Sequence, residues 1–254
     1  LLGLRGEVGR SFIPTHPPGR GVTIPLGPFS DGSFLGRSHL STPGDPGEGI
    51  QRGMVELVRW SPDGDLLGDP VTRLGWEQFY RPLQGEPMTA QPPFGRRFGV
   101  AASGDGWYYG SMDRFEIEEY SRAGELRRII RLDQENRPVT DEIREEWLRQ
   151  ARERFADPYP APAREWRLSM PFPETLPACG SEWIVDDEGN LWVPEYALPG
   201  EQLSWAVFNS QGRFLGTVDA PAGGRVTQIG TDFVLGIWTD DMDVEQVRMY
   251  RIIK

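Results

Sequence analysis

Four times along this chain a short apolar run breaks at a polar turn and resumes as a second apolar run. Val22-Thr23-Ile24-Pro25-Leu26 meets Ser30-Asp31-Gly32-Ser33 and continues as Phe34-Leu35-Gly36. Phe98-Gly99-Val100-Ala101-Ala102 turns at Gly104-Asp105-Gly106 into Trp107-Tyr108-Tyr109. Glu182-Trp183-Ile184-Val185 turns at Asp187-Glu188-Gly189-Asn190 into Leu191-Trp192-Val193. Arg225-Val226-Thr227-Gln228-Ile229 turns at Gly230-Thr231-Asp232 into Phe233-Val234-Leu235. Asp-Gly and Asn supply the positive φ of tight hairpin turns.

A second hairpin follows each of the first three. "MVELVRWSPDGDLLG" (54–68), "EIEEYSRAGELRRIIRL" (116–132) and "WAVFNSQGRFLGTVDA" (205–220) share a grammar. An alternating strand ends in an aromatic (Trp60, Tyr120, Phe208), a polar turn ends in Gly (Gly64, Gly124, Gly212), and another strand leaves. Period-two alternation marks half-buried strands. Four strands per repeated unit is the pattern of β-propeller blades. The chain therefore reads as all-β: one β-propeller domain over residues 1–254, built of four-stranded antiparallel blades. About four blades are visible, over roughly 21–75, 98–132, 180–220 and 225–254, with insertions over 76–97 and 133–179. Only the last interval between first turns, from near 188 to near 231, has the roughly 40–45 residues of an undecorated blade.

The second insertion carries one helix, expected over 140–156. Thr140 or Asp141 can cap it, and Asp141, Glu142 and Glu145 lie near its positive end. Ile143, Trp147, Ala151 and Phe155 form a single apolar stripe, which reads as packed against the propeller. The fourth unit has three strands and ends at "VRMYRI". A strand from the N-terminal part is expected beside it, since closing a ring removes free edges.

The phrases "DRFEIEEYSRAGELRRIIRLDQENRPVT" (113–140), "VDDEGNLWVPEY" (185–196), "WAVFNSQGRFLGTV" (205–218) and "FVLGIWTDDMDVEQVRMYRI" (233–252) resemble six-bladed β-propellers of the NHL-repeat-like group, nearest to those of Gemmatimonadota-type bacteria. "LRGEVGRSF" (4–12) resembles a degraded form of their Gly-rich inter-blade segment. The resemblance implies six blades, so either two blades precede Leu1 or a shorter ring closes. It also implies a periplasmic or extracellular protein.

The 254 residues carry a net charge of −11, which disfavours nucleic acid and anionic membrane surfaces as partners. No apolar run is long enough for a transmembrane segment. The one cysteine, Cys179, can form neither an internal disulfide nor a cysteine zinc site, and reads as a buried thiol. His16 and His39 lack metal-binding partners at usable spacing. No nucleophile elbow, P-loop or dinucleotide fingerprint occurs, and "GEGIQRG" (47–53) reads as a loop. No catalytic or metal-ligating residue is assigned.

Two functions remain. The first is a non-catalytic binding or protein-interaction propeller, exported, taking a protein or a small polar ligand and needing no cofactor. The second is a divalent-cation-dependent hydrolase or lyase of the gluconolactonase-like kind, which the resemblance implies, holding Ca²⁺ in an axial channel. Asn190 would be a ligand in that case, but it stands in a hairpin turn. Trp183, Trp192 and Trp205 read as blade core. The tight turns should crowd one rim of the propeller, and the longer connections Arg37–Arg52, Met112–Glu116, Glu195–Ser204 and Thr239–Glu245 the other. Those connections hold Asp45, Glu48, Asp113, Glu116, Glu195, Glu201, Asp240, Asp241, Asp243 and Glu245 against Arg37, Arg52 and Arg114. The reading is an acidic rim, opposite Asp31, Asp105 and Glu188, that attracts a cation or basic partner. Its binding residues would be Asp113, Arg114, Glu195, Tyr196, Asp240, Asp241 and Asp243. A merely solvated acidic surface is the alternative.

Overall fold

A computed structural model describes residues 15, 23–40, 47–83, 86–156, 158–220, 224–240 and 242–252. Four antiparallel sheets follow one another. Blade one holds β1 (Thr23–Pro28), β2 (Phe34–Leu40), β3 (Gly49–Trp60), β4 (Val71–Leu83) and β5 (Glu86–Ala90). Blade two holds β6 (Gly99–Ser103), β7 (Gly106–Gly110), β8 (Glu116–Ser121) and β9 (Leu126–Arg131). Blade three holds β10 (Ile184–Val185), β11 (Leu191–Pro194), β12 (Ser204–Phe208) and β13 (Phe214–Asp219). Blade four holds β14 (Gly224–Ile229), β15 (Phe233–Thr239) and β16 (Glu245–Arg251). Contacts between the first strands run β1 to β6, β6 to β10 and β10 to β14, so the sheets stand in a propeller arrangement.

The core lies between blades. Trp107 and Tyr120 pack with Leu35 and Leu57 at the first junction, Phe115 and Phe208 with Ile117 and Trp183 at the second, and Trp205 with Val226 and Ile229 at the third. The aromatics that end each third strand are almost fully enclosed: Trp60 is 0%, Tyr120 1% and Phe208 0% exposed. Glycine makes room where a ring crosses a strand. A Cβ at Gly99 would stand 2.1 Å from the indole of Trp183, and one at Gly110 2.5 Å from it.

One turn is built repeatedly. Its first residue donates its N–H to the carbonyl four positions on, and the N–H of the fourth residue returns to the first carbonyl. Phe29–Ser33, Ser61–Asp65, Ser121–Glu125, Asp186–Asn190 and Asn209–Arg213 all close this way. The fourth residue is Gly32, Gly64, Gly124, Gly189 or Gly212, each at positive φ. A side-chain oxygen often hooks the turn from inside. Ser61 Oγ accepts from Asp63 N and Asp65 N, and Asn209 Oδ1 from Gln211 N and Arg213 N.

Several expectations need correction. The loop read over Arg37–Arg52 is shorter, because β2 continues through Leu40 and β3 begins at Gly49. The insertion read over 76–97 is in large part a continuation of blade one. β4 extends through Leu83 and β5 pairs back on it, since Trp76, Gln78 and Tyr80 keep the alternation going. The second insertion holds two helices, α1 (Asp141–Arg154) and α2 (Ala161–Leu168). α2 starts at Pro160 with Pro162 in its first turn, where a missing N–H costs nothing. Its Trp166 packs on Phe79, Ala90 and Met170, seating the helix on the extended part of blade one. The N-terminal segment expected beside blade four lies outside the described residues.

Candidate functional site

α1 is the wall of a cleft. Thr140 caps it by accepting from Ile143 N, Asp141 and Glu142 sit in its first turn, and Arg149 pairs with Glu146 and Glu153 on the outer face. The stripe expected to be core is only half-buried at Ile143, Trp147 and Phe155; Ala151 alone is buried. The stripe faces an opening instead. Trp147, Gln150, Ala151, Arg154 and Phe155 line a cleft of about 670 Å³. The other walls come from 91–97 before β6, from Met112, from Arg167 and Met170 around the end of α2, from 177–182 before β10, from 194–199 after β11, and from the start of β14.

Backbone hydrogen bonds fix these walls. The arms of the insertion pair through Val139 N to Glu174 O and Leu176 N to Arg137 O. Ala178 N donates to Met112 O at 3.0 Å, and Gly180 N to Pro194 O at 2.8 Å. Trp147 meets Phe172 edge-on at 5.4 Å, and Phe172 lies against Phe94 at 6.0 Å. Among the described residues, three non-glycines take positive φ: Phe94 at 51°, Met112 at 64° and Asp243 at 58°. The first two line the cleft. Bulky residues avoid that region unless their surroundings hold them there.

The charge of the cleft is opposite to that of the protein. Arg97, Arg154, Arg167 and Arg225 line it, against Glu182 and Glu195. Arg97 donates to Gln91 Oε1 at 2.7 Å, and Arg167 lies over the ring of Phe155 at 5.4 Å. Arg37, stacked over Trp76 at 4.9 Å, is made less basic first by burial and then by the charge of Arg97. Tyr196 is half-buried in the lining; burial raises its phenol, while Arg97 and Arg96 pull the other way. Cys179 is 2% exposed, and burial pushes its thiol up to about 12, so it stays protonated.

The residues proposed from sequence scatter. Glu195 and Tyr196 line the cleft. Asp113 is tied into a junction: Arg52 Nη1 donates to its Oδ1 at 2.9 Å, Arg96 approaches at 3.5 Å, and Ser111 Oγ donates to its Oδ2 at 2.8 Å. Arg52 also donates to the carbonyls of Gly75, Arg97 and Ser111, so this arginine joins blades one and two. Arg114 is exposed, 3.7 Å from Glu116. Asp240 hooks its own turn, accepting from Met242 N, Val244 N and Gln246 Nε2. Those backbone donors, Val244 first, lower its carboxyl. Asp240–Val244 closes with the same hydrogen bonds as the glycine turns, and Asp243 stands where those have Gly. The connection read as a long functional loop is thus one more tight turn. Asp241, Asp45 and His16 lie outside the described residues.

The acidic rim is largely compensated. Glu48 pairs with Arg81, Glu116 with Arg131 at 2.6 Å and Glu201 with Arg137 at 2.7 Å. The opposite rim has Asp31 pairing with Arg122 at 2.8 Å and Ser30 N donating to Gly104 O. Sheet pairing puts these turns and Glu188 at the far end of their strands from Asp113, Glu195 and Glu201.

Trp183, Trp192 and Trp205 are buried, as read. Asn190 Nδ2 donates to Asp186 Oδ2 within its hairpin. Among the described residues no group of three or more His, Cys, Asp or Glu comes together, and no helix is long and apolar enough to cross a membrane. The four cleft arginines were missed because they stand far apart in sequence. The one local signal was Gln150 and Arg154 flanking the α1 stripe.

No family model matches the chain, and no curated protein does. Among solved structures it is similar to a luciferin-regenerating enzyme at 14% identity over 90% of each chain, with a TM-score of 0.29. It is also similar to a streptogramin B lyase at 10% identity over 87% of this chain and 88% of that one, with a TM-score of 0.25. Superpositions this loose carry no argument about chemistry. The fold itself defines the class: an all-β propeller with a helical insertion.

Proposed function

We propose that this protein is a non-catalytic binding propeller whose ligand occupies the cleft beside α1. The observation that carries the proposal is the cleft itself. Its volume of about 670 Å³ lies within the range of small-molecule sites, and its walls come from eight separate stretches, several of them pinned by backbone hydrogen bonds. Rigid blades hold the lining, and the insertion adds a face that a bare blade lacks. The acidic rim is a weaker candidate, because its described acids are mostly ion-paired or hooked into turns.

A thermal-shift screen of small organic acids, amides and lactones, with Ca²⁺ or with chelator, tests this. Ligands should raise the melting temperature of the natural protein and not of Ala197→Trp, which fills the cleft from its lining. Ca²⁺-dependent conversion of any compound, seen by mass spectrometry, would instead establish the hydrolase or lyase reading.

A further inference from the structure

The proposed cleft has a chemical preference, and this inference rests on that reading of the site. Arg97, Arg154, Arg167 and Arg225 line it from four separate segments: the connection before β6, α1, α2 and β14. None of the four is ion-paired among the described residues, whereas Arg52, Arg96, Arg131 and Arg137 nearby all are. A second observation is independent of charge. Trp205 is 3% exposed and lines the cleft, and its indole Nε1 has no hydrogen-bond partner. Nε of Arg167 is likewise enclosed and unpartnered. Unsatisfied buried donors are uncommon and need an explanation. The four arginines outnumber Glu182 and Glu195 in the lining, and the buried orphans Trp205 Nε1 and Arg167 Nε are donors, so the complementary ligand is an acceptor with negative charge. Trp147 and Phe155 add aromatic wall, and the volume far exceeds that of a bare inorganic anion.

We infer that the cleft takes a small organic anion, a carboxylate or equivalent oxyanion carried on a flat apolar body. The arginines meet the anionic end, and the apolar body lies against Trp147 and Phe155. The protein's overall charge of −11 would repel such a ligand, so affinity has to come from this local reversal of sign.

The test uses 2-naphthoate, neutral 2-naphthamide and inorganic sulfate as probes, read by tryptophan fluorescence and thermal shift. Naphthoate should bind about tenfold or more tighter than naphthamide, the usual scale of a charge-assisted contact. Arg225→Gln and Arg154→Gln, at exposed positions that leave the fold intact, should each weaken naphthoate about fivefold or more and leave naphthamide unchanged. Equal binding of naphthoate and naphthamide would overturn the anion preference and leave the cleft as a binding site. Sulfate binding as tightly as naphthoate would overturn the apolar body. Failure of both naphthalenes to bind would overturn this inference and the proposed site together.

Discussion

The two ends of these sheets come from the same strands and are finished in opposite ways. At the turn end, polar groups are consumed locally. The Asp186 carboxylate accepts from Glu188 N, Asn190 N, Asn190 Nδ2 and Trp192 Nε1, leaving little to offer a ligand. At the cleft end, long-range segments close the gap imperfectly, and the donors of Arg167 and Trp205 stay unmatched. Local closure satisfies the groups within each turn because donor and acceptor are a few residues apart. Closure by segments 133–179 and 91–97 leaves a hollow because most of its walls come from stretches that no single sheet holds together. Acidity did not separate the ends; the state of the hydrogen bonds does.

The largest effect should separate core from cleft wall. Trp183→Ala removes a 6%-exposed indole that fits against Gly99 and Gly110 and should cost about 3–5 kcal/mol in chemical denaturation. Trp147→Ala, half-buried, should cost only about 1 kcal/mol yet abolish naphthoate binding. Equal stability losses would show that Trp147 is core after all. Next is the turn end. Asp186→Ala orphans the donors it served, including the indole of Trp192, and should cost about 2–3 kcal/mol with cleft binding unchanged. A loss of binding there would break the contrast between the ends.

A smaller, pH-dependent effect belongs to the cleft end. Arg137 first, and then the N–H of Leu198, hold the Glu201 carboxyl at about 2. An unfolded Glu titrates near 4.3, so the folded pKa is depressed. The stabilisation is therefore fully present above about pH 5 and is lost as pH falls through 4 toward 2. The pair is half exposed, so Glu201→Gln should cost about 0.2–1 kcal/mol at pH 7. The gap between variant and natural melting curves should close on acidification; a gap that persists at pH 2 would contradict this. Smallest is Asp243→Gly, which places at φ 58° the residue the other turns use there. It should change stability by about 0.5 kcal/mol or less, on the stabilising side, without touching binding. A binding loss would return Asp243 to the site.

The blades were legible because their signals are local. Trp60, Tyr120 and Phe208 close their strands where the alternation said, and each is enclosed. α1 was legible from its cap and stripe. What the stripe faces was not legible: Trp147 and Phe155 look alike in sequence whether they meet a sheet or a cavity. "TDDMDVE" misled because its acids suggested a binding loop. Asp240, first in the turn, is a hook, and the non-glycine Asp243 in the turn's fourth position hid it. α2 was hidden among the prolines of "DPYPAPAREW", which break helices inside but suit their first turn.

The sequence by itself determined the repeated hairpins, the residues that close each turn and the aromatics that fill the blade junctions. All of these depend on spacings of a few residues, where backbone sterics and period-two alternation leave little choice. Only the tertiary structure decided that Arg97, Arg154, Arg167 and Arg225 share one hollow and that Asp113 is tied to Arg52 across two blades. Those meetings span tens of residues. They depend on how an insertion packs back onto sheets, and no local propensity encodes that path.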